Sequence, residues 1–394
     1  MSNKDEHIKI NFTGDIFLGG RVECVAKENP ASIFDEKIMQ LFQESDFNIV
    51  NLESPLTSAN NKYKIIKTGP NLKADPESVG VLKALNTHLA TLANNHIYDF
   101  GEKGLSDTIA VCKKYKIDTV GAGLSLSEAS RIYIKKFDRL SIAIVNIAEN
   151  EWCNASENRG GANPMNFISN IKSISLAKKE ADIVIVIIHG GHEYYHFPSP
   201  RMVDQYRFYA EQGASLIIGH HSHYISGFEV FNGVPIFYSL GNFLFDSTSK
   251  SQDWFEGIIL SINIAKENKK ITWELFPFSQ CKGEIKVTLL EGNERNDIEK
   301  MVNLINSIIG DRVKLKKEFE DFIYRRNKEI LSIYSTSYFL KFKYFRSAIR
   351  KLGIEFIFLR KEQLKMILNH SRCESLKDVS DMVLSNYVNN KIDR

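Results

Sequence analysis

The stretch IVIVIIHGGHEY at Ile183–Tyr194 decides the fold, because six apolar residues lead directly into a cluster of histidines, glycines and an acid. A short apolar, β-branched run such as Ile183–Ile188 is typical of a strand that is buried on both faces of a sheet. We predict further strands where similar runs recur, at Ile8–Phe12, Phe47–Val50, His88–Leu92, Ser141–Ile147, Ser215–Ile218 and Val234–Tyr238.

Helical patterns lie between several of these runs, at Ser32–Gln43, Pro76–Leu85, Gly104–Tyr115, Ile168–Glu180 and Met202–Gln212. Strands that alternate with helices indicate an α/β architecture. After Gln252 the pattern changes, and Gly257–Ile264 and Ile271–Phe278 predict two strands that close a sheet. Beyond about residue 290 the patterns are mainly helical. We therefore expect two domains, 1–290 and 291–394, of which the second is a helical, basic extension.

The 394 residues carry a formal charge of only +3, so overall charge indicates no particular partner and no nucleic acid is expected. The five cysteines are widely spaced without a CxxC pair, which favours reduced thiols over a disulfide framework or a zinc knuckle. The first residues lack the apolar segment of a secretion signal, and no run is long enough to span a bilayer. We expect a cytoplasmic protein, at most peripheral to the inner face of the membrane.

Seven of the ten histidines fall in three blocks that each follow a predicted strand: His96; His189, His192 and His196; His220, His221 and His223. Acids and amides end other strands, at Asp15, Glu53, Asn95 and Asn242. In an open α/β sheet the residues just past the carboxyl ends of the strands line the ligand crevice. Two neighbouring divalent cations need several N and O ligands and a bridging group. A mixture of acids, an amide and imidazoles suits such a pair of ions.

At these blocks the sequence resembles the bacterial CapA family of capsule (polyglutamate) biosynthesis, whose fold is similar to that of calcineurin-like metallophosphoesterases. The resemblance covers roughly residues 8–250. Six ordered blocks carry it: GD at Gly14–Asp15, NLESPL at Asn51–Leu56, LANNHIYDFGEKGLSDT at Leu92–Thr108, IIHGGHEY at Ile187–Tyr194, IIGHHSH at Ile217–His223 and YSLGNFLFD at Tyr238–Asp246.

The resemblance implies a four-layer α/β/β/α sandwich and a site for two divalent metal ions, with Mn, Fe, Zn and Mg not distinguished. Carried over by position, the implied metal ligands are Asp15, Glu53, Asn95, His189, His221 and His223. Asp15 or Glu53 would bridge the ions, and we favour Glu53. His96 would act as a proton donor or transition-state contact, and Glu193 and Asn242 would contact the substrate or support the ligands.

Two departures from the family pattern leave the metal and the substrate pocket open. Metallophosphoesterases usually begin with Asp-x-His, but Ile16 and Phe17 follow Asp15 here. The family often has tryptophan after the metal-binding histidine, where this chain has Gly190 and Gly191. The implied reaction is hydrolysis of a phosphoester, or of a related ester or amide. The alternatives are amide ligase or hydrolase chemistry on polyglutamate, and a non-catalytic component that binds an anionic polymer or a synthase.

Several of these residues also have structural interpretations. Asp15 could cap a helix or lie in a turn, Asn95 could be an ordinary turn residue, and His96 could be structural. Glu193 could form an ion pair with Arg201 or Arg207. We expect His192 and His196 not to be ligands, and His220 to face away from the metals or to hydrogen-bond within its turn. We also expect Cys153 not to be a nucleophile.

Two segments have a role that the sequence does not decide. The polar stretch Glu149–Asn166 predicts either a lid or binding loop, or a plain surface insertion. Residues 337–352 place Tyr338, Phe342, Phe345, Ile349 and Leu352 on one helical face, among basic residues. That helix could pack its aromatic stripe on the main domain, or attach to an anionic membrane surface or a capsule-synthesis partner.

Overall fold

The computed structural model describes residues 6–248, 250–334, 342–352 and 360–388. Within these residues the chain is a mixed α/β protein. Its strands are β1 (His7–Ile16), β2 (Phe47–Leu52), β3 (Leu89–Thr91), β4 (Asp118–Val120), β5 (Ala122–Gly123), β6 (Tyr133–Phe137), β7 (Leu140–Ala148), β8 (Gly161–Ala162), β9 (Ile183–His189), β10 (Leu216–His220), β11 (Phe228–Phe231), β12 (Val234–Phe237), β13 (Asn242–Leu244), β14 (Glu256–Ala265), β15 (Ile271–Gln280) and β16 (Val287–Leu289).

The helices of the described residues lie between the strands and, in a second group, after them. They are α1 (Arg21–Glu28), α2 (Glu36–Gln43), α3 (Val79–Ala84), α4 (Gly101–Lys114), α5 (Leu126–Ala129), α6 (Phe167–Glu180), α7 (Pro200–Glu211), α8 (Gly292–Ile309), α9 (Arg312–Tyr334), α10 (Lys343–Leu352), α11 (Lys361–Arg372) and α12 (Glu374–Val388). Short 3-10 turns occupy Pro30–Ile33, Asn61–Tyr63, Pro76–Ser78 and Gln252–Phe255.

Two sheets hold most of these strands. The first has the order β16-β15-β14-β1-β2-β3-β4, and β13 pairs with β1 off this path. The second has the order β11-β12-β10-β9-β7-β6. β1, β2, β3 and β4 run parallel, as do β7, β9, β10 and β12, whereas the outer strands β14, β15 and β16 pair antiparallel. The carboxyl ends of β1 and β2 are therefore at one edge of the first sheet, and those of β9 and β10 at one edge of the second.

Three apolar clusters hold the sheets and helices together. Side chains of both sheets form one cluster, with Ile10 of β1 and Ile185 of β9 among its fully buried members. A second cluster joins the first sheet to α1, α2, α3 and α4. A third joins the second sheet to α6, α7, α8 and the start of α9. Burial of these apolar faces is what stabilises strands whose runs are hydrophobic on both sides.

The seven strands predicted from apolar runs, Ile183–Ile188 among them, are confirmed, and so are the two predicted in Gly257–Phe278. Helices α4, α6 and α7 confirm three of the helical patterns to within a few residues. Asp75 caps the 3-10 turn at Pro76–Ser78, since its side chain accepts a hydrogen bond from the backbone N–H of Glu77. The prediction of one helix over Ser32–Gln43 was wrong, because a 3-10 turn ends at Ile33 and α2 begins separately at Glu36, with Asp35 as its N-cap.

Asp35 joins α2 to the edge of the first sheet. One oxygen, Oδ1, accepts a hydrogen bond of 2.7 Å from the N–H of Ile38, and the other, Oδ2, accepts one of 2.9 Å from the N–H of Leu289. We expect Asp35→Ala to lower the free energy of unfolding by about 1–2 kcal/mol, because a capping bond is lost. Urea denaturation measures this change. Glu36→Ala, an exposed neighbour, is the control and should change the stability by less than about 0.5 kcal/mol.

The C-terminal region is helical in its described parts, and α8 begins three residues after β16 ends. α9 and α12 form an apolar cluster of their own, with Phe319 and Val383 among its buried members. The division into two domains at residue 290 stays a prediction, since α8 and α9 also contribute to the cluster under the second sheet.

The predicted aromatic stripe of residues 337–352 packs inward only in part. Ile349 is buried, whereas Phe342 and Leu352 are exposed, and Tyr338 lies outside the described residues. Among the described residues, we find no helix that combines the length and the apolar content needed to cross a bilayer.

Candidate metal centre

Asp15 lies at the carboxyl end of β1, where this strand contacts β2 and β13. The residue is fully buried, and it is in register with Asn51 on one side and Asn242 on the other. The preceding residue, Gly14, has no room for a Cβ, because that atom would overlap the carbonyl oxygen of Gly241. Glycine therefore permits the close approach that places Asp15 beside β13.

Hydrogen bonds hold Asp15 in its ionised form. Its Oδ1 accepts a bond of 2.7 Å from Asn51 Nδ2, and its Oδ2 accepts one of 3.1 Å from the N–H of His221. Burial alone would raise the pKa of Asp15, but contacts with His220 and His223 outweigh it and hold the pKa well below the usual value. A carboxylate that is ionised in a buried site is the form in which aspartate binds a cation.

Glu53, just past β2, is a buried carboxyl group without a conventional partner. Both of its oxygens are inaccessible and accept no hydrogen bond from any described residue. Burial, followed by the charge of Asp15, raises its pKa well above the usual value. A buried and unpaired acid is costly unless a cation or a proton compensates it. This orphaned carboxylate is the observation in the structure that fits a metal ion best.

His189 ends β9 and brings the second sheet to the same place. Its Nε2 atom lies 3.4 Å from Glu53 Oε1, 3.1 Å from His221 Nδ1 and 3.2 Å from Asn95 Oδ1. Its other ring nitrogen lies 3.2 Å from Asn51 Nδ2. Burial, and then the neighbouring His221, lower the pKa of His189 well below the usual value. The ring is therefore neutral near pH 7, and a neutral imidazole is the form that binds metals.

The turn after β10 presents three histidines to Asp15. His221 and His223 have positive φ angles of 91° and 61°, so the backbone is left-handed at both residues. His223 Nδ1 lies 3.4 Å from Asp15 Oδ2 and donates a hydrogen bond of 2.9 Å to Asn242 Oδ1. Burial would lower the pKa of His223, but the bond and charge of Asp15 raise it.

Five of the six predicted ligands form two groups that could each hold a metal ion. One group contains Asp15, Glu53 and His223, and the other contains Glu53, His189 and His221. The candidate ligand atoms of each group lie within 4.8 Å of one another. Glu53 belongs to both groups. The sixth predicted ligand, Asn95, lies beside the second group through its Oδ1 contact with His189.

His96 is held next to this centre by Asp99 and Lys67. Its Nδ1 atom donates a hydrogen bond of 2.7 Å to Asp99 Oδ2, and the amine of Lys67 lies 2.7 Å from Asp99 Oδ1. Burial, and then Lys67, lower the pKa of His96. Asp99 follows His96 by three residues in the quoted block and could have been noticed there, whereas Lys67 carries no sequence signal.

Glu193 faces the histidines of the centre and not the arginines we considered. Burial would raise its pKa, but His221, His223 and His96 lower it. The alternative interpretation, in which Glu193 forms an ion pair with Arg201 or Arg207, was wrong. Arg201 pairs with Glu149 at 2.8 Å and Asp378 at 2.7 Å, and Arg207 pairs with Glu229 at 2.6 Å.

The placement of His220 also differs from the prediction. We expected it to face away or to bond within its turn, but its Nδ1 atom lies 3.3 Å from Asp15 Oδ1. His220 is the last residue of β10 and is in register with His189 of β9. His192 and His196 do not belong to either ligand group. The ring of His192 packs edge-on against Phe319 and Phe322, and that of His196 contacts the carbonyl oxygen of Ile225 at 2.8 Å.

A family model described as bacterial capsule synthesis protein PGA_cap matches residues 9–247, which is more than half of the chain. The chain belongs to the PGA_cap family. All the residues of the two ligand groups lie inside this match, and so do His96, Glu193 and Asn242. The resemblance inferred from six short blocks is thereby confirmed at the level of the family.

Curated relatives of this PGA_cap chain carry names from capsule and polymer biosynthesis. It is 38% identical over 245 residues to PGA biosynthesis protein CapA of Bacillus subtilis (strain 168), covering 61% of this chain and 64% of that protein. It is 31% identical over 250 residues to capsule biosynthesis protein CapA of Bacillus anthracis, covering 62% and 61%. The chain thus spans just under two thirds of the length of these relatives.

A third relative and a solved structure are more distant. Over 216 residues the PGA_cap chain is 31% identical to a probable polyglutamine synthesis accessory protein of Mycobacterium tuberculosis (strain ATCC 25618 / H37Rv), covering 51% of this chain and 56% of that protein. The crystal structure of a hypothetical protein from Thermus thermophilus has 11% identity and a TM-score of 0.40, covering 68% of this chain and 99% of that chain.

The centre opens into a pocket of about 200 Å³. Asn95, His96, Glu193 and His221 line it on the side of the sheets, together with Lys67. Glu151, from the polar stretch after β7, also lines it, and Trp152 beside it donates a hydrogen bond of 2.8 Å to Thr68 Oγ1. In the structure, part of the stretch Glu149–Asn166 is therefore a wall of this pocket.

Proposed function

We propose that this PGA_cap protein is a dinuclear metal-dependent hydrolase, acting on a phosphoester or a related ester or amide in capsule or cell-surface polymer biosynthesis. One observation carries the proposal: Glu53 is buried, unpaired and common to both ligand groups. Two ions sharing one carboxylate would relieve its cost of burial. The two sheets with helices over their outer faces support the α/β/β/α sandwich of metallophosphoesterases as the architecture.

The contacts of the residues suggest which of them would bind the ions and which would support the ligands. Asp15, Glu53, His189, His221 and His223 would hold the ions, with Asn95 beside them. Bound divalent ions would make water available as a nucleophile near neutral pH and would stabilise anionic oxygen. Asn51 and Asn242 orient Asp15 and His223 through their hydrogen bonds. Such supporting partners fix the direction of a ligand and tune its basicity.

His96 is the group placed to move a proton in this scheme. Since its Nδ1–H donates to Asp99, Nε2 is the atom that would first accept a proton and then, with the ring as imidazolium, deliver it to the leaving group. The carboxylate of Asp99 sets the tautomer of the ring, and Lys67 in turn holds Asp99. Glu193 lines the pocket, and its carboxylate would accept a hydrogen bond from a donor group of the substrate or from a bound water.

Turnover of small esters tests the proposal. We expect Mn²⁺-loaded protein to hydrolyse p-nitrophenyl phosphate or bis(p-nitrophenyl) phosphate, and to lose this activity when a chelator removes the metal. His96→Asn should lower kcat about 10²–10³-fold while the metal content stays unchanged, because only proton transfer is lost. His7→Asn, at an exposed histidine, is the matched control. The absorbance of the released p-nitrophenolate measures the rate.

The outcomes separate the reaction classes. Metal-loaded protein that is inert on phosphoesters but cleaves a γ-glutamyl amide would assign amide chemistry to the same centre. Metal-loaded protein that is inert on all of these substrates would leave the second candidate, a non-catalytic assembly component. The exposed aromatic residues Phe342 and Tyr344 beside Lys343 on α10 favour such a role, since they offer a surface to an anionic membrane or a synthase partner.

A further inference from the structure

The C-terminal helices form one wall of the pocket that opens from the candidate metal centre. Five residues of this region line it: Arg326 from α9, Asn369 from α11, Cys373 between α11 and α12, and Ser375 and Leu376 from α12. All of them lie outside residues 9–247, which the family model matches. The pocket is thus built partly by family residues and partly by a region beyond them.

Buried polar contacts dock this wall onto the second sheet. Glu149, which follows β7 and is almost fully buried, accepts hydrogen bonds through Oε2 from both the N–H and the hydroxyl of Ser375. Its Oε1 accepts a bond of 2.8 Å from Arg201, which also donates one of 2.7 Å to Asp378 in α12. Glu149 therefore sits at the amino end of α12, where a negative charge is stabilised by the helix dipole. The wall has a fixed position relative to the centre.

Most charged groups around the pocket already have a strong partner. Lys67 is buried and paired with Asp99 at 2.7 Å. Glu151 accepts a hydrogen bond of 3.3 Å from Asn369, and its other oxygen lies 3.9 Å from His221 Nε2. Glu193 lines the pocket together with His96 and His221. Lys67 and Glu151 thus have partners inside the protein.

Arg326 is different, because its partner lies at the surface. Its Nε and Nη2 atoms donate hydrogen bonds of 3.1 and 3.2 Å to the two carboxylate oxygens of Glu329, one helical turn away. Because the Glu329 side chain is 59% exposed, water and salt screen this pair, and an anionic group of a ligand can compete for Arg326. Guanidinium groups also bind carboxylates and phosphates through two parallel hydrogen bonds. Arg326 is thus a lining cation that remains able to bind a ligand.

We propose that α9, α11 and α12 complete the substrate pocket, and that Arg326 binds a second anionic group of the substrate, remote from the group that reacts at the centre. This inference rests on the proposed function for the location of the reacting group. The chemical class that fits is a small molecule or chain end with two separated anionic groups. A pocket of about 200 Å³ holds a compact terminal unit, in agreement with that class.

Two non-hydrolysable probes test the inference through binding and not through turnover. Phenylphosphonate carries only the group that would occupy the centre, and 4-carboxyphenylphosphonate adds a carboxylate at the far end. Isothermal titration of Mn²⁺-loaded, full-length protein gives the Kd of each. We expect the carboxylated probe to bind about tenfold more tightly, as one charge-assisted bidentate contact would produce.

Variants of adjacent arginines provide a matched comparison. Arg326→Ala should bring the ratio of the two Kd values to about one and leave the Kd of phenylphosphonate unchanged. Arg325→Ala removes the same charge from an exposed position on the same helix and should leave the ratio near ten. Glu329→Gln should increase the ratio, because it removes the competing carboxylate. Arg326→Lys should restore part of the preference.

Failure of the metal-centre proposal and failure of the Arg326 proposal give different results in this experiment. If the metal centre does not exist, both probes bind more weakly by the same factor, and the ratio between them is still measured at higher probe concentration. A ratio of one in the unmodified protein overturns the role of Arg326. So does a preference that survives in Arg326→Ala, or that falls equally in Arg325→Ala.

Discussion

Glu53→Gln is expected to empty the centre of metal while the chain stays folded. Unmodified protein prepared with Mn²⁺ should contain about two ions per chain, and the variant should contain far less than one after dialysis. The reason is that Glu53 belongs to both ligand groups, so one neutral amide weakens both sites together. We expect the affinity of the centre for Mn²⁺ to fall by more than about 100-fold. Loss of a residue that only supports a ligand has a smaller effect. Elemental analysis by mass spectrometry measures the metal content.

Two controls separate loss of metal from loss of structure. Glu102→Gln makes the same charge change at an exposed position on α4 and should keep the full metal content. Metal-free Glu53→Gln should unfold at a urea concentration no lower than that of the metal-free parent. Burial and the charge of Asp15 already disfavour the ionised form of Glu53, so the amide removes an unfavourable charge. A variant that retains two tightly bound ions would refute the shared-carboxylate site.

Glu149→Gln is expected to detach the amino end of α12 from the second sheet. The substitution removes the charge that accepts hydrogen bonds from Ser375 and pairs with Arg201. Breaking one side of a buried ion pair costs about 3–5 kcal/mol. We expect a smaller loss of about 2–3 kcal/mol, because Arg201 is partly exposed and keeps Asp378 as a partner. Hydrogen exchange should show faster labelling across α11 and α12, with little change in β9.

Glu362→Gln is the matched control for this effect. It removes a carboxylate from α11 whose side chain is 77% exposed, and it should leave the exchange of both helices unchanged. Uniform destabilisation of the whole chain in Glu149→Gln, without a local increase in α11 and α12, would contradict a docking role. Full protection of both helices would contradict it as well.

The strands of the main fold could be predicted because their signal is local. Ile183–Ile188 and Ile8–Phe12 are apolar on both faces, and burial between helices and a second sheet requires such runs. The break in Ser32–Gln43 could not be predicted in the same way. Its cause is that Asp35 reaches Leu289, which is 254 positions away in the chain, and that contact competes with continuation of the helix. The spacing of apolar residues along a helix gives no information about a contact between residues so far apart in the chain.

The clustering of the candidate ligands could be predicted because each lies at or just past the carboxyl end of a strand. Asp15 lies at the end of β1 of the first sheet and His221 follows β10 of the second, and these ends meet closely enough for the N–H of His221 to donate a hydrogen bond to Asp15. The contact of His220 with Asp15 was not predictable, because the two residues lie on strands of different sheets, 205 positions apart in the chain. The partners of Arg201 were not predictable either, since Asp378 is 177 positions away and belongs to a different helix.

The left-handed backbone at His221 and His223 has a consequence for engineering this protein. Such a conformation is unfavourable by roughly 1–2 kcal/mol for a residue with a Cβ, and glycine adopts it without that penalty. Histidine at these two positions therefore lowers the stability of the fold relative to glycine. A thermostabilisation scheme that ranks positions by backbone compatibility alone would suggest glycine at these two positions, and glycine there would remove two candidate metal ligands.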